Sequence, residues 1–206
     1  MEQRSAEWFE GRARRITASR FGDVMAAPTS DRHRDLLGRL VDGIRDVPMF
    51  EHEAEAVNGV APWHQHGRDW EGRARWMYEE REGLEVQEVG LLVHPRFPFV
   101  AGSPDGLVGD EGGIEIKCHR SLAAYQASAA GGLPTVYVPQ VQGYLWITGR
   151  KWWDYCNYFE VEREGKRTAL MTVHRVLPDA HTMGKIERAC VRFWEKANKI
   201  AGGLGG

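Results

Sequence analysis

The stretch Ser103-Pro104-Asp105-Gly106, followed ten positions after Asp105 by Glu115-Ile116-Lys117, decides how the rest of the chain is read. Pro-Asp-Gly is turn chemistry, and the residues leading to Cys118 have the composition of a strand. Alternation along a strand places Glu115 and Lys117 side by side on one face and turns Ile116 into the core on the other. If the segment around Asp105 pairs with that strand as a hairpin, its carboxylate joins them, giving two hard oxygen ligands and one cation. Such a cluster suits Mg²⁺, with Mn²⁺ as a substitute, because these ions prefer carboxylates, carbonyls and water over sulfur. Phosphodiester cleavage uses each part: metal for the attacking water and the leaving oxygen, and Lys117 to orient water or offset growing phosphorane charge. The Asp…Glu-x-Lys pattern is short, however. On this segment alone, an ordinary turn leading into a solvated surface strand stays open.

Outward from this segment the patterning switches between periods. Ser5 to Arg15 is helical, and Thr17-Ala18-Ser19 resembles a new N-cap before Phe21, Val24 and Met25. Asp31 to Asp46 spaces Leu36, Leu37, Leu40, Val41 and Ile44 as one helical stripe. Val47 to Pro62 has no sustained period and is expected to be a loop. Gly67 to Glu82 predicts an amphipathic helix with Trp70, Ala74 and Met77 or Tyr78 inward and Glu71 beside the stripe. Strands are expected at Leu84 to His94, Phe97 to Ala101, Asp105 to Val108, Ile114 to Cys118, Trp152 to Glu160 and Thr168 to Val176. Pro139 fits the first turn of a helix through Ile147, with Gln140 in that turn. Pro178 to Ile200 predicts a last helix, and residues 201–206 a loose, glycine-rich tail.

With 206 residues and 42% hydrophobic content, one buried core is supported, and a single domain over 1–206 is expected. No run approaches the roughly 18 apolar residues of a membrane helix, and the charged first twenty residues do not resemble a secretory signal, so a cytoplasmic protein is expected. Cys118, Cys156 and Cys190 are widely spaced and are read as reduced, buried thiols. The net charge of −2 does not itself point to nucleic acid. Arg12, Arg14, Arg15 and Arg20 nevertheless fall within ten residues that contain no acid. That run is either a local basic patch or a solvated helix face.

Several blocks in order resemble the phage lambda exonuclease family, the YqaJ-type viral recombinases or alkaline exonucleases of the PD-(D/E)xK nuclease superfamily. They are Trp8 and Arg12 with Ile16-Thr17-Ala18-Ser19; Gly67-Arg68-Asp69-Trp70-Glu71; Ser103-Pro104-Asp105-Gly106; Glu115-Ile116-Lys117; and Tyr137-Val138-Pro139-Gln140-Val141-Gln142. The resemblance implies an α/β (α+β) fold of the restriction-endonuclease type, a central mixed sheet flanked by helices. It implies that Asp105, Glu115 and the Ile116 carbonyl bind metal, with two ions per site, that Lys117 acts on the nucleophilic water, and that Glu71 helps orient that water. Gln140 and Tyr137 match positions near the metals. Arg12 and Ser19 match a pocket for the 5′-phosphate, where a guanidinium can grip two oxygens and helix-start amides assist. Activity and partners follow as further implications. They are 5′ to 3′ digestion of one strand of duplex DNA to mononucleotides, a homotrimeric ring around DNA ends, and delivery of the 3′ strand to a single-strand annealing protein, in a phage or prophage setting and away from membranes.

Two other readings fit the same residues: a structure-specific or restriction-like endonuclease, which would give Arg12 and Ser19 no end-binding role, and an inactive DNA-binding recombination module. Intact Asp105, Glu115 and Lys117 speak against the second. Met49 or Phe50 is a candidate wedge at a duplex fork, against the plainer role of loop anchor. His64 and His66 lack a third ligand nearby and are assigned no role. Trp152 and Trp153 are expected in core or subunit contacts rather than on bases. Gln142 should point away from Gln140 on its helix.

Overall fold

The computed structural model describes residue 3, residues 5–47 and residues 62–203, with backbone alone for 62–69. The chain begins with α1 (Ala6–Ala13), β1 (Ile16–Thr17), a 3-10 turn (Ala18–Arg20), α2 (Phe21–Val24) and α3 (Asp31–Ile44). Next come α4 (Pro62–Glu82), β2 (Val86–Gln87), β3 (Leu92–Val93), β4 (Val100–Gly102), β5 (Gly106–Val108) and β6 (Gly112–His119). The remainder is α5 (Leu122–Ala129), a 3-10 turn (Thr135–Tyr137), α6 (Val138–Thr148), β7 (Trp152–Arg163), β8 (Lys166–Val176) and α7 (Ala180–Gly203).

Strand β6 sets the architecture. It runs antiparallel to β5 and parallel to β7, so the five-stranded sheet β2-β5-β6-β7-β8 is mixed. A parallel pair needs a crossover, which α5 and α6 supply between β6 and β7. Strands β7 and β8 join through Glu164 (φ 52°) and Gly165 (φ 74°). Two left-handed residues in succession make the two-residue turn whose twist matches that of the strands. A second sheet, β1-β4-β3, stands apart from the first. Alternation along β7 then sorts two cores. Trp153 and Tyr155 pack with residues of α2, α3, α6 and α7, whereas Cys156 and Tyr158 pack with Ile114, Ile116 and the α4 residues Ala74 and Tyr78. The expected mixed sheet flanked by helices is therefore the observed fold.

The differences have physical causes. Thr17 ends a strand instead of capping a helix with its side chain. Ile16 donates to the Phe99 carbonyl at 2.8 Å and draws the chain into the small sheet. Leu84 to His94 splits, because β2 pairs with β5 in one sheet and β3 with β4 in the other. Helix α5 was not foreseen, since Leu122–Ala129 has only Tyr125 buried and so no stripe; Ser121 starts it by accepting from the Ala124 amide at 3.2 Å. The tail expected to be loose from residue 201 continues α7 to Gly203, and Arg45 donates to the last carbonyls, Ile200 at 2.8 Å and Ala201 at 3.2 Å. Pro62 opens α4 ahead of the expected Gly67. Met49 and Phe50 lie outside the described residues, as do the side chains of His64 and His66. Among the described residues, no helix is long and apolar enough to cross a membrane.

Candidate active site

The site forms where β5 leaves β6. The two strands pair only between Gly106–Val108 and Gly112–Ile114. Pro104 carries no N–H and cannot extend the ladder. Past Ile114 the β5-side edge of β6 has lost its strand partner, and a side chain replaces it: Asp105 Oδ2 accepts the Ile116 N–H at 2.6 Å. The hairpin geometry expected from the sequence thus brings Asp105 to Glu115 and Lys117.

Glu115 is 2% exposed. Its Oε1 accepts from Lys117 Nζ and from Gln140 Nε2, the latter at 2.7 Å, whereas its buried Oε2 has no hydrogen-bond partner. The Lys117 ammonium also lies 5.0 Å from the centre of the Tyr137 ring. Burial and the adjacent Glu115 push the Asp105 carboxyl up to about 7, even though Lys117 and the Ile116 amide pull the other way. For Lys117 burial opposes the charge, but Glu115 and Asp105 outweigh it and hold its pKa above the usual lysine range. Two carboxylates, Glu115 buried and Asp105 half-buried, therefore share a single half-buried ammonium. An orphaned carboxylate oxygen and a carboxyl that resists ionising both mark a position where a cation would be stabilised.

A second cluster adjoins the first. The Arg12 guanidinium lies 4.3 Å from the Trp8 ring centre and donates to Ser103 Oγ at 3.1 Å, Thr17 Oγ1 at 3.4 Å and Ser19 Oγ at 3.3 Å. Trp8 Nε1 donates to the same Ser103 oxygen at 2.9 Å. Burial lowers the pKa of Arg12. Ser103 is two residues from Asp105, so one short loop carries a wall of the arginine pocket and a carboxylate of the other cluster.

Of the residues singled out from the sequence, Asp105, Glu115, Ile116, Lys117, Gln140 and Tyr137 converge, and Arg12 and Ser19 meet beside them. Glu71 is held differently. It accepts from Arg75 at 3.1 Å, and Arg75 also pairs with Glu88 while its charge bears on Asp105. Ser103 and Tyr144 were given no role in the sequence reading. Ser103 stood inside the quoted motif, and Tyr144 follows Gln140 by one helical turn, a spacing that puts the two on one face. Gln142 turns away as expected, donating to the Leu177 carbonyl and accepting from the Asp179 amide. Trp153 is core. Cys156 and Cys190 are buried free thiols and Cys118 is half-buried.

Known proteins share this fold. Over its whole fold the chain is similar to an alkaline exonuclease from Laribacter hongkongensis, with 28% identity, a TM-score of 0.77, and coverage of 97% of this chain and 96% of that one. A second structure of that exonuclease, in complex with dAMP, superposes with a TM-score of 0.78 at 28% identity and the same coverage. A phage-related exonuclease from Haemophilus somnus 129PT shares the fold at 14% identity, with a TM-score of 0.57 over 93% of this chain and 96% of the other. An uncharacterised protein of Acanthamoeba polyphaga mimivirus, R354, is 25% identical across 92% of this chain, which spans 35% of that protein's length. Residues 7–151 match the model of the YqaJ-like viral recombinase domain, and the chain belongs to that family.

Proposed function

We propose that the chain is a Mg²⁺-dependent nuclease that digests one strand of duplex DNA from a 5′-phosphorylated end, 5′ to 3′, releasing mononucleotides. The observation that carries this reading is the adjacency of two clusters of opposite charge on one loop, Arg12 with its hydroxyls at Ser103 and the carboxylate pair at Asp105. An end phosphate fits the first, and a backbone linkage over a cation fits the second. The dAMP complex of the Laribacter exonuclease supports a nucleotide-sized occupant.

Asp105, Glu115 and the Ile116 carbonyl would hold the metal. In a strand the N–H and C=O of one residue face the same neighbour, so the Ile116 carbonyl shares the side on which its N–H meets Asp105. No group of three His, Cys, Asp or Glu side chains converges among the described residues, so the ligand set needs that carbonyl and water, as a hard cation allows. Bound there, Mg²⁺, or Mn²⁺ in its place, supplies Lewis acidity toward the phosphate and the attacking water, with two ions the fuller arrangement. Lys117 holds a donor where water or a developing phosphorane charge needs one. Gln140 fixes Glu115, and the Tyr137 ring face steadies the Lys117 ammonium. Arg12, Ser19, Thr17 and Ser103 receive the 5′-phosphate, and Glu71, which accepts from Arg75 on α4, helps orient the metal-bound water. A ring of three copies around duplex DNA and handover of the 3′ strand to a single-strand annealing protein, within the cytoplasm of a phage-carrying bacterium, complete the reading.

The test incubates the purified chain and Mg²⁺ with linear duplex DNA carrying a 5′-phosphate on one strand, beside a closed circle of the same sequence. Loss of the phosphorylated strand to mononucleotides with the circle intact is expected. Cutting of the circle would replace this reading with an endonuclease, and inertness toward both in Mg²⁺ and Mn²⁺ would leave a DNA-binding module.

A further inference from the structure

Tyr144 stands between the two clusters. It is 2% exposed, and its hydroxyl donates to the Ser103 carbonyl at 3.2 Å while accepting from Gln140 Nε2 at 3.0 Å. The same Gln140 nitrogen reaches Glu115 Oε1 at 2.7 Å, and the Ser103 hydroxyl accepts from Arg12 at 3.1 Å. Two runs of hydrogen bonds therefore meet at Ser103, Arg12 on its hydroxyl and Tyr144, Gln140 and Glu115 beyond its carbonyl, joined by that residue's own covalent frame. The ring has little freedom. It stacks on Trp153 with centroids 5.0 Å apart and planes 25° apart. Gly102 presses against its edge so closely that a Cβ there would lie 2.9 Å from the ring. The hydroxyl is thus delivered to one place, at the loop whose next residues are Pro104 and Asp105. A shift at Ser103 when the arginine pocket fills must either carry the loop toward Asp105 or break the bond to Tyr144.

We propose that Tyr144 is a positioning residue that fixes the separation between the end-phosphate pocket and the carboxylate pair, so that a phosphate in the pocket speeds cleavage instead of only retaining the DNA end. This rests on the nuclease reading above. Coupling between two occupied sites must be reciprocal in binding, so a phosphorylated end should also tighten the metal.

The experiment compares wild type with Tyr144→Phe, which keeps the ring and removes only the hydroxyl. Turnover is measured on linear duplexes ending in 5′-phosphate or 5′-hydroxyl, and kcat and KM are determined separately. In wild type, kcat is expected to be higher on phosphorylated ends by about tenfold, the scale of one hydrogen bond to a charged network. In the variant that kcat ratio should fall toward one while the KM preference for phosphorylated ends persists. A purely structural role would lower kcat on both ends equally and leave the ratio unchanged, which would overturn the proposal. So would a wild type whose kcat ignores the phosphate. Mn²⁺ titration in the presence of a duplex bearing a non-cleavable first linkage and ending in either 5′-phosphate or 5′-hydroxyl gives a readout free of turnover. Wild type should bind Mn²⁺ about tenfold tighter with the phosphorylated end than with the hydroxyl end, on the same scale, and Tyr144→Phe should show little difference. Equal tightening in both proteins would refute the coupling whatever the activity of the variant. Wild-type inertness on every end would overturn the nuclease reading instead, a result distinct from an active enzyme with an unchanged ratio.

Discussion

Replacing Asp105 with Asn should stabilise the metal-free protein at alkaline pH. Burial and Glu115 raise the Asp105 carboxyl from 3.8 to about 7. The folded protein therefore binds this proton more tightly than the unfolded chain does, and the stability so gained is complete below about pH 4 and lost as pH rises through about 7. At about 1.4 kcal/mol per pH unit, the loss amounts to roughly 4 kcal/mol at most. Lys117, raised in the folded state, keeps its contribution throughout this window, since it is lost only as pH rises past the ordinary lysine range. An amide at position 105 keeps an oxygen for the Ile116 N–H and carries no charge. Urea unfolding in EDTA near pH 4.5 and near pH 8 isolates the difference, because the other titrating groups are common to both proteins. Near pH 4.5 the two should be of similar stability, and near pH 8 Asp105→Asn should be the more stable by on the order of 1 to 4 kcal/mol. Mg²⁺ should then reverse the order. Wild type should gain about 2.7 kcal/mol at a hundredfold excess over its Kd, with little gain for the variant. Parallel pH slopes in EDTA, or an Asn variant weaker than wild type near pH 8, would refute the picture of two adjacent carboxylates sharing one ammonium.

Lys117→Ala should lower kcat by about two to three orders of magnitude, the scale for removing one preorganised donor, while circular dichroism shows an unchanged fold. Arg12→Lys keeps a charge but cannot reproduce the fan of bonds to Ser103, Thr17 and Ser19. The preference for 5′-phosphorylated over 5′-hydroxyl ends should drop about tenfold in competition digests. Gly143→Ala would place a Cβ 2.4 Å from the ring of the fully buried Phe21. It should cost about 1 to 3 kcal/mol in urea unfolding, because α6 packs there on the turn that presents Ser19.

What was legible in the sequence followed from periodicity and motif order. Leu36, Leu37, Leu40 and Val41 made α3 plain, and they are buried as expected. Ser103-Pro104-Asp105-Gly106 and Glu115-Ile116-Lys117 located the carboxylate cluster because a turn and a period of two fix which side chains can meet. Less legible were features decided by distant partners. Strand β1 exists because Phe99 offers a carbonyl to Ile16, and nothing within Ile16–Thr17 announces that. Helix α5 buries only Tyr125 and so leaves no stripe to read. Tyr144 was invisible for another reason. Its hydroxyl serves Ser103, 41 residues away in sequence, and an aromatic residue at helical spacing is the commonest of core signals.

The same distinction explains how a chain of net charge −2 can keep an arginine without an acidic partner, as the proposed phosphate pocket requires. Folding pairs two of the four arginines of the basic run with acids and ties a third to main-chain carbonyls. Arg14 pairs with Asp46, Arg20 pairs with Asp23, and Arg15 donates to the Pro98 and Gly11 carbonyls. Elsewhere Arg73 meets Glu160 and Arg175 meets Asp154. Arg12 is treated otherwise: among the described residues its hydrogen bonds go only to the hydroxyls of Ser103, Thr17 and Ser19. A half-buried guanidinium with neutral partners is costly to the fold, and so is a carboxylate pair, one buried and one half-buried, with one ammonium. These two imbalances have opposite sign and sit at either end of Ser103–Asp105. A cation and a phosphate relieve both together, whereas either alone leaves the other uncompensated. Net charge is therefore the wrong quantity for this chain. Where the uncompensated charges remain after folding says more about its ligand than their sum does.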